Sequence, residues 1–251
     1  MKNHDFCILG VDTDSILIHK KDQSLFSEQE QKNLLEEINE MLPSLIKLDH
    51  DGYFQKVVIL KSKNYILYDG KKIKLKGSSL KDNKKEPALR EMLSRLIDCL
   101  LFDRQSEMPT IYHSYIREIH AIEDITRWCV KRTITKSVLE SPRLNESKIR
   151  DAIDTTTVQE GDKQFLFSTI SGMEPILAKG EPQFYKDGRP KIQPRQVLLT
   201  PEKFDGTVDI EHYLNRIYST MEILANVVDM SQFIDYTKKK NKAALEEMLN
   251  E

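Results

Sequence analysis

Two aspartates set two residues apart, Asp12 and Asp14, stand between an apolar run, Phe6 to Val11, and a second one, Ile16 to Ile18. On an extended backbone, residues i and i+2 point their side chains the same way. Two neighbouring carboxylates repel, and each makes the other harder to ionise. A divalent cation removes that cost. Hard oxygen donors at this spacing suit Mg²⁺, which takes one or two carboxylates and leaves the rest of its shell to water or substrate phosphates. The same pattern after an apolar strand occurs in haloacid-dehalogenase-like phosphatases and sugar transferases, and two aspartates can also simply shape a solvated turn.

The flanking period-two patterning predicts strand, tight turn, strand, with the acids at the tip. Ser27 and Glu30 then have the spacing of a capping box. The stripe Leu34, Leu35, Ile38, Met41 and Leu42 predicts a helix, which Pro43 should end. Three strands are expected at 56–61, 64–68 and 71–75. Asp69-Gly70 is expected as a two-residue hairpin turn with both residues at positive φ. Between positions 56 and 85, ten lysines face only Asp69 and Asp82, a local net charge of +8. Lys72, Lys74 and Lys76 alternate with Ile73 and Leu75, which puts lysines on one face. The whole chain carries −2, so this basic block is the footprint of a polyanion. A lysine-dressed edge that discourages aggregation is the plain alternative.

Asp12-Thr13-Asp14-Ser15, with its apolar exit strand, resembles the catalytic hairpin of family B DNA polymerases, whose signature reads Tyr-Gly-Asp-Thr-Asp-Ser. Gly10 and Val11 depart from the Tyr and Gly of that signature. In that family a helix and then a sheet follow, the sheet carrying a Lys-x-Tyr motif that grips the primer end. Lys63-Asn64-Tyr65 matches it, with Lys61 two residues earlier and the strand Val57 to Leu60 ahead of it. The family's next landmark, a strand ending in Gly before a glutamate, is met by Lys76 and Gly77, but Ser78-Ser79 replace the apolar residue and the acid.

The resemblance implies an α+β fold: an antiparallel palm sheet with the catalytic hairpin and covering helices at 1–107, then a mainly helical thumb at 108–251. It implies template-directed nucleotidyl transfer. Asp14 would be the bridging metal ligand, Asp12 its neighbour, and Lys61, Lys63, Tyr65, Lys76 and Gly77 the DNA-binding set. Two Mg²⁺ ions, primer–template DNA and a deoxynucleotide are the implied cofactors and substrates. The family also needs a palm aspartate in an Asp-x-x-Ser-Leu-Tyr-type motif, a fingers helix with Asn-Ser-x-Tyr-Gly, and an exonuclease Asp-x-Glu. The first two are not found among these 251 residues, and the one Asp-x-Glu triplet, Asp209-Ile210-Glu211, stands at the start of the helix expected over 209–227. With the hairpin so near Met1, either this is a fragment or the preceding part is another polypeptide; the expectation is the latter, a split polymerase whose small chain is active only with a second chain that bears those parts. The low-Gly, Lys-rich style points to a virus or phage.

Two other classes remain. A haloacid-dehalogenase-like phosphatase would use Asp12 as nucleophile and Asp14 as acid/base, and needs a later Gly-Asp-x-x-x-Asp. Gly161-Asp162 starts one, but Leu166 occupies the second acid's place. A non-enzymatic DNA-binding accessory subunit would use the basic sheet alone.

Composition narrows the rest. An apolar fraction of 39% supports a core, and 31% charged residues a wetted surface. Cys7, Cys99 and Cys129 are odd in number and far apart, giving neither a disulfide framework nor a zinc spacing. A reducing compartment, the cytoplasm (the host's, if viral), is expected. No apolar run nears membrane-spanning length. Pro87 should open a helix with Leu89, Leu93, Leu96, Ile97 and Leu100 buried. Helices are expected over 111–122, 146–153 and 209–227, a basic strand at 128–132, and a strand after Gly161. His113 and His120, seven apart, do not form an i, i+4 metal pair. The stretch 180–194, rich in Pro, Gly and charge, is expected as a mobile loop. The 232–236 segment faintly resembles a sliding-clamp-binding peptide, and the basic tail after Lys238 is expected to end in a helix.

Overall fold

The computed structural model describes residues 6–12, 14–81, 85–178 and 180–250, with Asp12 and Leu144 described by backbone only. The fold is mixed, with antiparallel sheets and several helices. Two compact units divide the chain, Met1–Lys81 and Asp82–Glu251.

In the first unit, β1 (Phe6–Asp12) and β2 (Ser15–Lys20) form a two-stranded antiparallel hairpin. Asp12 pairs with Ser15, and a bulge at Leu9 shifts the register. The expected strand–turn–strand is therefore there. Ile8 (60% exposed) and Val11 (66%) remain open to solvent. Helix α1 (Glu28–Met41) starts on the anticipated capping box. Glu30 N–H donates to the Ser27 hydroxyl, and Ser27 N–H donates to the Glu30 carboxylate. Leu42, ahead of Pro43, is extended and stops the helix, because the proline ring disfavours the helical region for the residue before it.

A separate three-stranded sheet follows in the order β3 (Lys56–Lys61), β4 (Asn64–Tyr68), β5 (Ile73–Lys76). Ile66 and Leu67 of the central strand are buried on opposite faces, as expected of a strand covered on both sides. The β4–β5 connection corrects the sequence expectation. Tyr68 pairs with Ile73, so four residues lie between the paired positions. Gly70 alone is at positive φ, 96°. Asp69 instead accepts the N–H groups of Lys71 and Lys72 on its carboxylate. These two bonds hold the Asp69 carboxyl below its usual range. A side-chain cap thus replaces the doubly left-handed turn.

In the second unit, α2 (Pro87–Leu101), α3 (Met108–Ala121) and α6 (Ile210–Met221) pack together. Leu89, Met92, Leu96 and Ile97 meet Tyr112, Tyr115, Ile116, Tyr213 and Ile217 in a core from which water is excluded. A smaller core gathers Ile134, Val138, Ala152, Ile153 and Leu166, with Val130 packed against it; it is built from β6 (Val130–Thr133), α4 (Lys136–Glu140), α5 (Leu144–Ala152), β7 (Lys163–Pro175) and the residues that follow β6 and α5. Tyr213 joins the parts. Its hydroxyl donates to the Trp128 carbonyl at 3.1 Å and accepts the Ser168 N–H at 3.0 Å.

The stretch 180–194 is not an irregular loop. β7 returns through β8 (Leu177–Ala178) and β9 (Glu181–Pro182) to β10 (Ile192–Leu199), forming a long antiparallel ribbon. Gly and Pro there shape the turns of a ladder rather than interrupt it: Lys191 N–H donates to the Gln183 carbonyl, and Tyr185 N–H to the Arg189 carbonyl, both at 2.8 Å. The chain ends in α7 (Lys242–Asn250).

Candidate polymerase hairpin and grip corner

Asp12 is the last residue of β1, and Asp14 lies in the turn, exposed. The backbone is therefore not extended through both, so the i, i+2 argument for a shared direction does not apply across this turn. The Asp12 side chain and Thr13 lie outside the described residues. Among the described residues no group of three His, Cys, Asp or Glu could hold a metal ion. Aspartate oxygens match Mg²⁺ in kind, but two carboxylates leave octahedral shells open. The donors fit, and the set is short of ligands.

The Lys61 to Gly77 candidates converge on one corner of the three-stranded sheet. Lys61 pairs with Asn64, so Ser62 and Lys63 make the β3–β4 turn. Lys63 has φ 61°, the left-handed region, and is exposed. Its N–H donates to the Tyr65 hydroxyl at 3.2 Å, which folds the half-buried ring back over the turn. Tyr65 lies directly across from Lys76 on β5. Gly77 follows at φ 109°, and a Cβ there would fall 2.6 Å from the Lys63 carbonyl oxygen and into the Asn64 carboxamide. Only glycine allows the two backbones to approach so closely.

Asn64 is the residue the motif left as a blank. It is buried; its amide donates to the Ser62 carbonyl, and its oxygen accepts the Ser79 hydroxyl. Ser79, which looked like a departure from the family pattern, is thus a strut for the turn. The burial of Asn64 beside the exposed Lys61 and Lys63 is visible only in the folded chain. Lys74 also stands exposed on β5, with its ammonium 5.9 Å from the Phe54 ring centroid. The basic block is not uniform: Lys85 is buried, and its ammonium donates to the Thr220 hydroxyl at 3.4 Å. That lysine has a structural partner.

Other sequence readings resolve against packing. Leu166, where a phosphatase needs its second acid, is wholly buried in the smaller core. Phe233 and Tyr236 of the clamp-like segment are buried too; Phe233 meets Tyr112 edge-on, and Tyr236 shares a hydrogen bond with His113 at 3.2 Å. No helix among the described residues is long and apolar enough to cross a membrane.

The first unit thus holds a hairpin tipped by paired aspartates and a lysine-rich sheet corner braced by a glycine. The model of DNA polymerase family B matches residues 3–147, more than half of the chain, and the chain belongs to that family. Among solved structures 53 chains match. One is the family B DNA polymerase from the hyperthermophilic archaeon Pyrobaculum calidifontis, with TM-score 0.58 and 14% identity. The match covers 89% of this chain and 27% of that one. At such identity the likeness concerns the fold, and the chain spans about a quarter of its neighbour's length. No curated protein matches.

Proposed function

We propose that this chain is the C-terminal palm and thumb of a DNA-directed DNA polymerase, working with a partner chain that carries the exonuclease, the fingers and the first palm carboxylate. The observation that carries the reading is the Asp12–Asp14 hairpin tip in a chain of this family. Two carboxylates cannot complete a two-ion site, and in this proposal the partner chain supplies the further ligands. Palm and thumb, 1–107 and 108–251, are functional assignments in this proposal. The compact units divide instead after Lys81, with α2 packed beside α3.

In the reaction so assigned, a primer 3′-hydroxyl attacks the α-phosphate of an incoming deoxynucleotide. Bound Mg²⁺ would lower the proton affinity of that hydroxyl and neutralise the leaving pyrophosphate. Asp14 and Asp12 are the residues of this chain that would hold the metal. Lys61, Lys63 and Lys76 would hold the primer duplex by its phosphates and minor-groove acceptors, and Tyr65 would brace the turn that presents them.

Primer extension by the reconstituted two-chain enzyme tests the assignment. Asp14→Ala should abolish synthesis while primer–template binding persists. The purified chain alone should bind DNA and incorporate nothing. Undiminished synthesis by the variant, or incorporation by the isolated chain, refutes the proposal.

A further inference from the structure

The β7–β10 ribbon extends beyond the core that anchors it. Leu166 to Thr169 are buried, but from Ile170 to Gln196 no described residue is. A two-stranded ribbon without a covering layer is marginally stable in water, and this one exposes Met173, Leu177, Phe184, Tyr185 and Ile192, each more than half open. Its far end is a small turn closed by its own side chains: Arg189 forms an ion pair with Asp187 at 2.7 Å, and Arg189 N–H donates to the same carboxylate. Arg189 and Lys191 also stand 5.9 and 5.6 Å from the Tyr185 ring centroid. Over 180–196 the charges are Lys186, Arg189, Lys191 and Arg195 against Glu181 and Asp187, a net +2 in a chain of net −2.

Exposed aromatic rings set among cations are the components of a stacking platform. Bases stack on the rings whatever their sequence, and the cations meet the backbone between them. A purely apolar partner would leave the cations unpaired, and a fully paired duplex offers no free base faces at its sides. We propose that the ribbon tip, through Phe184, Tyr185 and the cations around them, is a binding site for single-stranded DNA. The inference rests on the family reading only in taking DNA as the nucleic acid; it involves neither the aspartate hairpin nor the Lys61–Gly77 corner.

The test is fluorescence anisotropy of the full chain with a labelled oligothymidine and with a duplex of equal length, at two salt concentrations. Replacing Phe184 and Tyr185 together by Ala should weaken single-strand binding by about tenfold or more and leave duplex binding nearly unchanged. Tyr185→Phe keeps a ring and should retain the affinity. Replacing Lys186 and Lys191 by Gln should lower the salt slope of single-strand binding by about 1.4, from about 0.7 per phosphate contact. Amide exchange at Leu166 and Phe167 checks that the ribbon's base is intact in each variant. Unchanged single-strand affinity in the double Ala variant, or equal weakening on duplex, overturns the proposal. Failure here leaves primer extension untouched, and loss of extension in Asp14→Ala leaves the oligothymidine result untouched, so the two readings fall separately.

Discussion

Gly77→Ala is the sharpest probe of the grip corner, with Gly70→Ala as its internal reference. Both glycines lie in the same sheet unit at positive φ, 109° and 96°. Placing an alanine in that region costs about 1 kcal/mol in either case. They differ in what the new methyl group meets. At Gly70 it meets the amide end of Gln55, an exposed side chain that can swing away. At Gly77 it meets the Lys63 carbonyl and the buried Asn64 carboxamide, neither of which can move without breaking the turn. Displacing Asn64 unpairs its bonds to Ser62 and Ser79, a further loss of about 1–3 kcal/mol. The expected totals are therefore about 1 kcal/mol for Gly70→Ala and about 2–4 kcal/mol for Gly77→Ala. The lone tryptophan, Trp128, belongs to the second unit, so its fluorescence does not report this sheet. Amide exchange at Ile66 and Leu67 does, since both are buried in β4. Primer–template affinity should drop with Gly77→Ala and hold with Gly70→Ala. Equal exchange penalties for the two variants would refute the bracing of Lys63 by Gly77.

Three further expectations follow from the second unit and from α1. Tyr213→Phe should cost about 2–4 kcal/mol in urea unfolding followed by Trp128 fluorescence, because the Ser168 N–H and the Trp128 carbonyl both lose their buried partner; a loss under about 0.5 kcal/mol would count against it. Arg216→Ala should destabilise the same unit by about 3 kcal/mol, since Glu86, with its side chain 1% exposed, would keep a buried charge without its two-pronged guanidinium partner. The double variant with Glu86→Leu should recover much of that loss. The Glu30 carboxyl is lowered to about 2 by the Lys20 ammonium first and the Ser27 amide second. A depressed acid stabilises the fold above its unfolded pKa and loses that contribution as pH falls. The start of α1 should therefore fray between pH 4.5 and about 2, seen as loss of helical chemical shifts at Glu28 to Gln31, and Glu30→Gln should abolish that step.

Much of the fold could be read from local chemistry. The Ser27/Glu30 box, the strands at 56–61 and 64–68, and the α2 stripe each depend on neighbours in sequence, and each formed where the spacing placed it, save that Leu100 is only partly buried and Leu101 takes the core position. The ribbon was missed because its stability comes from cross-strand bonds between Lys163–Pro175 and Ile192–Leu199, partners far apart in the chain, while its Gly, Pro and charge read locally as a loop. Lys63 and Tyr65 could be picked out as candidates from the sequence, but Asn64 between them could not, because its place in the turn exists only once Gly77 and Ser79 come back against it. The aspartate pair was legible as a hairpin tip, but Asp14 in the turn escapes the strand-based direction rule.

Lys63 adopts a backbone conformation that glycine or asparagine would accept almost freely and lysine accepts at about 1 kcal/mol. A selection for sturdier versions of this chain, scored only by survival on heating, would reach Lys63→Gly early. The sturdier protein would have discarded a cation from the corner assigned to the primer, so its gain in endurance would be matched by a loosened hold on DNA.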